Sequence, residues 1–96
     1  MSLLEIQDKV NKLYKQREYT NDIMILGLGL CEEAGEVAKA INQSNPKYKP
    51  EPSREVHLIE HELYDCMVYI LGLANSLGIN MQYVMYRELA KRLKDD

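Results

Sequence analysis

Apolar residues recur at three- and four-residue spacing through most of the chain and predict four helices. Leu3, Ile6, Val10, Leu13 and Tyr14 share one face, with Asp8, Lys9, Lys12 and Lys15 elsewhere on the wheel, so an amphipathic helix is expected from Leu3 to about Arg17. Tyr19-Thr20-Asn21-Asp22 supplies N-cap candidates for a second helix running to about Asn42. Its apolar stripe is Ile23, Leu26, Leu30, Val37 and Ile41, and Gly27, Gly29 and Gly35 lie inside it. Each glycine costs up to about 1 kcal/mol relative to alanine, which predicts close helix contact or backbone approach there. Gln43 to Ser53 holds all three prolines, shows no periodicity and carries Lys47 and Lys49; a loop or substrate flap is expected. Ser53 is the N-cap candidate of a third helix, which carries Ile59, Cys66, Ile70 and Leu73 on one face and ends near Gly78 as a C′ glycine. Asn80 caps a fourth, from Met81 to about Leu93, with Val84, Leu89 and Leu93 inward. The fold class is all-α, with the middle helices as a central antiparallel pair.

The chemistry lies in those middle helices. Along Cys31 to Asn42 the sequence reads CEEAGEVAKAIN. On a helix advancing about 100° per residue, Glu32, Glu36 and Glu33 fall at roughly 0°, 40° and 100°, an acidic arc bordering the apolar stripe. Two carboxylates about 4 Å apart repel by about 4 kcal/mol at an effective dielectric of 20. Such a cluster therefore needs protons, basic partners or a cation, and its own segment offers only Lys39, on another face. In the third helix Glu62 and Asp65, three apart, lie at the edge of the apolar face. Packing the two helices together would join five carboxylates. Hard divalent cations take oxygen ligands, and magnesium commonly binds a few carboxylates together with substrate phosphates and waters. The constellation reads as a magnesium site.

Glu-Glu-x-x-Glu on one helix and Glu-x-x-Asp on the next, followed by an apolar run closing on Leu-Gly-Ile-Asn, resembles the MazG-type all-α nucleoside triphosphate pyrophosphohydrolases. The resemblance spans about Leu3 to Lys91. Two departures stand out: Tyr64 occupies the place of the family's usual glycine in Glu-x-Gly-Asp, and the tail after Lys91 lacks the further basic residues of many members. The resemblance implies a single four-helix module over residues 1–96 that hydrolyses a nucleoside triphosphate, ribo or deoxyribo, to the monophosphate and pyrophosphate. It implies Glu33, Glu36, Glu62 and Asp65 as ligands of magnesium, with manganese as a substitute. Glu32 is the candidate for orienting or deprotonating the attacking water, or equally for holding a metal-bound water from outside the ligand set. Lys91 matches a phosphate-contacting position, with Arg87 one turn earlier, and Tyr69, four residues beyond Asp65, could pack against sugar or base or serve as a core tyrosine.

Composition narrows the alternatives. With 96 residues, 46% of them apolar and 28% charged, the chain has the mix of one globular domain. No apolar run reaches a membrane-spanning length and MSLLEIQDK lacks a signal-peptide pattern, so no membrane partner and a cytoplasmic location are expected. Removing the five motif carboxylates turns the formal charge of −3 into +2. Acidity is local, and no nucleic-acid partner is expected. Cys31 and Cys66 are expected as small core residues. His57 and His61 stand four apart, a spacing that can hold zinc, yet no third nitrogen or sulfur ligand accompanies them. Neither has a glutamate three residues before it, as a di-iron bundle would want; His61 is expected beside Asp65.

Met24, Leu28, Tyr64, Val68 and Leu71 point away from the stripes that would form a monomer core, and a chain this short cannot cover two apolar faces on two helices. A homodimer or dimer of dimers is expected, as in single-module members of the family, whose nucleotide pockets borrow from a neighbouring subunit. The competing reading is an inactive dimerisation or regulatory module whose acids line a polar seam or pair with Lys39, Arg54 or Arg87.

Overall fold

The computed structural model describes residues 1–44 and 56–94, with side chains over 1–42 and 59–94. The expected loop, with Lys47, Lys49, Ser53 and Arg54, and the side chain of His57 lie outside the described residues. Four helices follow one another: α1 (Leu3–Gln16), α2 (Ile23–Ser44), α3 (Val56–Leu77) and α4 (Met81–Arg92). No strand occurs among the described residues.

Local side-chain chemistry sets most of the visible ends. Ser2 opens α1 with a capping box: its Oγ accepts from the Glu5 N–H at 3.1 Å, and its own N–H donates to Glu5 Oε1 at 3.1 Å, pairing two amide donors that lack helical partners. Asp22 does the same for α2, its Oδ1 accepting from the Met24 N–H at 2.9 Å. Asn80 caps α4 through the Tyr83 N–H at 3.1 Å. Gly78, at φ 68°, closes α3, with the Ile79 N–H returning to the Ala74 carbonyl at 2.8 Å. This is the six-to-one bond of a left-handed helix terminus. The end of α1 has the same form without glycine. Glu18 stands at φ 55° while the Tyr19 N–H reaches the Tyr14 carbonyl at 2.9 Å.

Helix α3 packs on both α2 and α1, and α4 packs on α1. Gly29 meets Tyr69, whereas Glu33, farther along α2, meets Glu62 and Asp65, earlier on α3; the two helices are therefore antiparallel. The same reversal relates α1 to α3, because Gln7 bonds Asn75 while Tyr14 bonds Val68. Val10, Tyr14, Leu26 and Leu71 form the core, with Leu3, Val68, Tyr69, Leu73 and Met81 against it. Burying a side chain such as Leu71 stabilises by about 1.5–3 kcal/mol. Tyr14 fits because Gly72 leaves room for its phenol, whose hydroxyl donates to the Val68 carbonyl at 2.9 Å.

Several expectations are corrected here. Val68 and Leu71 belong to the monomer core, since α1 covers the second face of α3. Cys31 is exposed and Cys66 half-buried. Gly29 does sit at a close approach, but Gly27 and Gly35 have open space around them. On α4, Val84 is half-buried while Leu89 and Leu93 are exposed. Met24 and Leu28 are exposed as expected, at 73% and 72%.

A polar latch ties α1 to the turn between α3 and α4. Gln7 is buried, its Nε2 donating to Asn75 Oδ1 at 3.0 Å and to the Ile79 carbonyl at 2.7 Å, while its Oε1 accepts from the Met81 N–H at 3.0 Å. Asn75 Nδ2 donates back to the Gln7 carbonyl at 3.1 Å. A buried amide so completely paired is tolerated in a small core and fixes how α4 leaves α3.

Candidate active site

Glu62 and Asp65, three apart, share one face of α3, and the antiparallel register sets Glu33 of α2 opposite both. One carboxylate oxygen from each of the three lies within 4.8 Å of the others. All three are half-buried. Burial pushes the Glu33 carboxyl above its ordinary value, and Asp65, Glu62, Glu32 and Glu36 push it further in that order. Among the described residues, the charges acting on Glu33 are all acids. Such a donor set, hard oxygens with excess negative charge, fits magnesium or manganese. Cys66 sits beside it, its thiol raised by burial and then by Glu33, Asp65 and Glu62; a thiol kept protonated is a poor nucleophile and a poor metal ligand.

The remaining carboxylates stand at the margin. Glu36 is half-buried and Glu32 exposed, both outside the close group of three. On α3, His61 places Nε2 3.6 Å from Asp65 Oδ2, the position expected for it, and its ring lies nearly parallel to that of Tyr64, with centroids 6.1 Å apart.

A cleft of about 440 Å³ opens beside these acids. Glu33 and Asp65 line it together with Tyr64, Val68 and Tyr69 of α3. Tyr14, Tyr19 and Thr20, from the end of α1 and the link to α2, form the opposite wall. Ile25 and Leu26 continue the α2 side. From Glu33 back to Ile25 is eight residues, or about 12 Å along the helix, so the cleft runs from a polar, acidic end to an aromatic one. This volume and mixture suit a small organic ligand with a charged end. Sequence reasoning missed the wall contributed by Tyr14, Tyr19 and Thr20. Tyr19 and Thr20 carried only a capping signal and Tyr14 only a core signal, and nothing in the local pattern says that α1 returns across α3.

A model of the MazG nucleotide pyrophosphohydrolase domain matches residues 23–94. The chain belongs to the MazG family. A comparison with curated proteins and another with solved structures found no match. The MazG match takes in α2 to α4, and with them all five motif carboxylates; α1 and its side of the cleft precede it. No helix among the described residues is long and apolar enough to cross a membrane.

The expected phosphate-binding pair lies elsewhere in this MazG chain. On α4, Arg87 Nε is 3.1 Å and Lys91 Nζ 3.2 Å from Glu88 Oε2, and Arg92 Nη1 is 2.9 Å from Glu88 Oε1. These three bonds hold the Glu88 carboxyl below its ordinary value. Arg87 also lies over the Tyr83 ring, 5.6 Å from its centroid. Neither Arg87 nor Lys91 lines the cleft that holds Glu33 and Asp65.

Proposed function

We propose that the protein is a magnesium-dependent nucleoside triphosphate pyrophosphohydrolase, converting a (d)NTP and water to the monophosphate and pyrophosphate. The observation that carries this reading is the convergence of Glu33, Glu62 and Asp65 at the acidic end of a nucleotide-sized cleft in a chain of the MazG family. Glu33, Glu62 and Asp65, with Glu36 closing the set from the next turn of α2, would hold the cation. When bound, magnesium supplies charge neutralisation on the triphosphate and Lewis-acid polarisation of a phosphoryl oxygen. Glu32, exposed beside Glu33, accepts the proton of the attacking water as the bond between the α and β phosphates breaks. Tyr69 lies across Gly29 on the inner wall, where it packs against sugar or base and excludes water.

The working unit in this reading is a cytoplasmic homodimer or dimer of dimers, with no nucleic-acid or membrane partner. Met24, Leu28, Tyr86 and Leu93 are each about 70% exposed or more. A second subunit would cover some of these side chains and bring Lys91 and Arg87 of one chain to the phosphates held by the other, exchanging Glu88 for substrate. The alternative of an inactive helical module is weakened at Arg87, which pairs with Glu88 and so is not the acid cluster's partner in the subunit. Pyrophosphate release from a panel of ribo- and deoxyribonucleoside triphosphates, with magnesium and with chelator, tests the proposal. Chelator-sensitive release supports it, and no release from any triphosphate would sink it.

A further inference from the structure

We propose that Tyr64, braced by His61, is a stacking platform for the nucleobase and so helps decide which triphosphate the cleft accepts. This rests on the pyrophosphohydrolase reading and adds a specificity residue to it. Taking Asp65 as the origin, Tyr64 falls at about −100°, Val68 at about −60° and Tyr69 at about +40° around α3. The two tyrosines therefore mark opposite edges of the cleft's α3 wall, with the metal-facing carboxylate between them. Tyr69 is the inner edge, packed against α2 at Gly29. Tyr64 is the outer edge and is 53% exposed.

An exposed tyrosine on a helix is ordinarily a mobile one, but this ring has an aromatic neighbour. His61, one turn before it, lies nearly parallel to it at 6.1 Å, with an interplanar angle of 23°, within the range of offset aromatic pairs. His61 in turn reaches Asp65 through Nε2. Contacts thus run from Asp65, 3.6 Å from His61 Nε2, to the Tyr64 ring beside His61, and favour one placement of the ring relative to the carboxylates. The Tyr64 hydroxyl makes no hydrogen bond among the described residues, so no polar contact of its own accounts for its placement. One face of the ring is taken by His61, and the ring lines the cleft. A flat, apolar ligand group entering beside Asp65 finds there an aromatic surface already ordered. A base linked through its sugar to phosphates at Glu33, Glu62 and Asp65 has the chemistry and the reach for it. Stacking of this kind tolerates every base but favours those with the larger π-face.

The test is calorimetric titration, with magnesium present, of wild type, Tyr64→Phe, Tyr64→Leu and His61→Ala. The ligands are α,β-methylene analogues of purine and pyrimidine nucleoside triphosphates and, as a probe without a base, inorganic tripolyphosphate. Tyr64→Leu is expected to weaken nucleotide binding about tenfold, more for purines than pyrimidines, with tripolyphosphate binding unchanged. Tyr64→Phe should stay within about twofold of wild type, since the hydroxyl is not used. His61→Ala, which releases the ring without removing it, should fall between them. Equal nucleotide affinity in Tyr64→Leu and wild type would overturn the assignment, as would a loss shared equally by tripolyphosphate. Hydrolysis of the natural triphosphates is followed separately. A wild type that binds the analogues with a Tyr64-dependent affinity but cleaves no triphosphate would defeat the enzymatic reading and leave the platform standing.

Discussion

Tyr69 lies across α2 at Gly29, where that helix has no side chain to meet it; a methyl group built there would overlap the phenol ring. The pair joins the packing of α2 on α3 to the shape of the cleft, because the same ring is part of the cleft wall.

Gly29→Ala is therefore expected to separate stability from binding. Alanine gains up to about 1 kcal/mol in helix propensity, which offsets much of the cost of moving the ring end, so the melting temperature should shift by only a few degrees. The displaced phenol enters the cleft, and KM for nucleotide should rise several-fold. Thermal melts and steady-state kinetics check both, and an unchanged KM would remove Tyr69 from the substrate's surroundings. Gly72→Ala is the contrasting case. Its methyl would strike the buried Tyr14 phenol and break the bond to Val68, at a cost of about 2–4 kcal/mol.

Gln7→Leu should destabilise the fold by about 1–3 kcal/mol, because it strands the Met81 N–H, the Ile79 carbonyl and Asn75 Oδ1 in a part-buried place. Chemical denaturation measures this. A loss under about 1 kcal/mol would mean that water replaces the side chain at the α3–α4 turn.

These residues also show what a one-dimensional pattern can and cannot carry. The caps at Asp22 and Asn80, and the glycine at residue 78, were legible because each is a bond between a side chain or backbone group and its immediate neighbours. Glu18 was not, since nothing in a glutamate announces a left-handed backbone. Val68 and Leu71 were assigned outward because a wheel shows that a helix has two apolar faces but not that a second helix of the same chain covers one of them. The carboxylate spacing within each helix was legible too. The register between the helices was not, and it is the register that places Glu33 opposite both Glu62 and Asp65 while leaving Glu36 outside the close group. Lys91 shows a further limit, since a residue that served a neighbouring chain's site would leave no trace in the geometry of one.

That limit supplies a test. If Lys91 of one subunit serves the carboxylates of another, Lys91→Ala and Glu62→Gln should each be nearly inactive alone. Mixed after co-refolding, they should recover about a quarter of wild-type activity, the share of intact sites in randomly assorted dimers. Arg92→Ala, which removes another partner of Glu88, should leave KM nearly unchanged. Failure of the mixture to regain activity would place both residues in one subunit's site or take Lys91 out of the reaction.

Glu33 offers the sharpest distinction between an active site and a polar seam. Its carboxyl is raised by burial and by four acids, so the folded chain holds its proton to higher pH than the unfolded chain does. Where the folded state binds more protons, stability falls as pH rises. In the metal-free protein the penalty from Glu33 is absent below the unfolded carboxylate pKa, grows as pH climbs to the raised folded value, and is complete above it. Glu33→Gln keeps the shape and removes the charge, so at neutral pH without metal it should melt at or above the wild-type temperature, with the difference vanishing in acid. Magnesium should raise the melting temperature of wild type by mass action, less so as pH falls and the ligands protonate, and should do little for the variant, whose hydrolysis drops by orders of magnitude. A seam predicts the opposite: Glu33 would be paired, its neutralisation would strand a basic partner and lower stability, and magnesium would move neither protein. Melts of the two proteins at neutral and acid pH, with magnesium and with chelator, therefore decide the matter, and a destabilised Glu33→Gln indifferent to metal would overturn the assignment of these carboxylates.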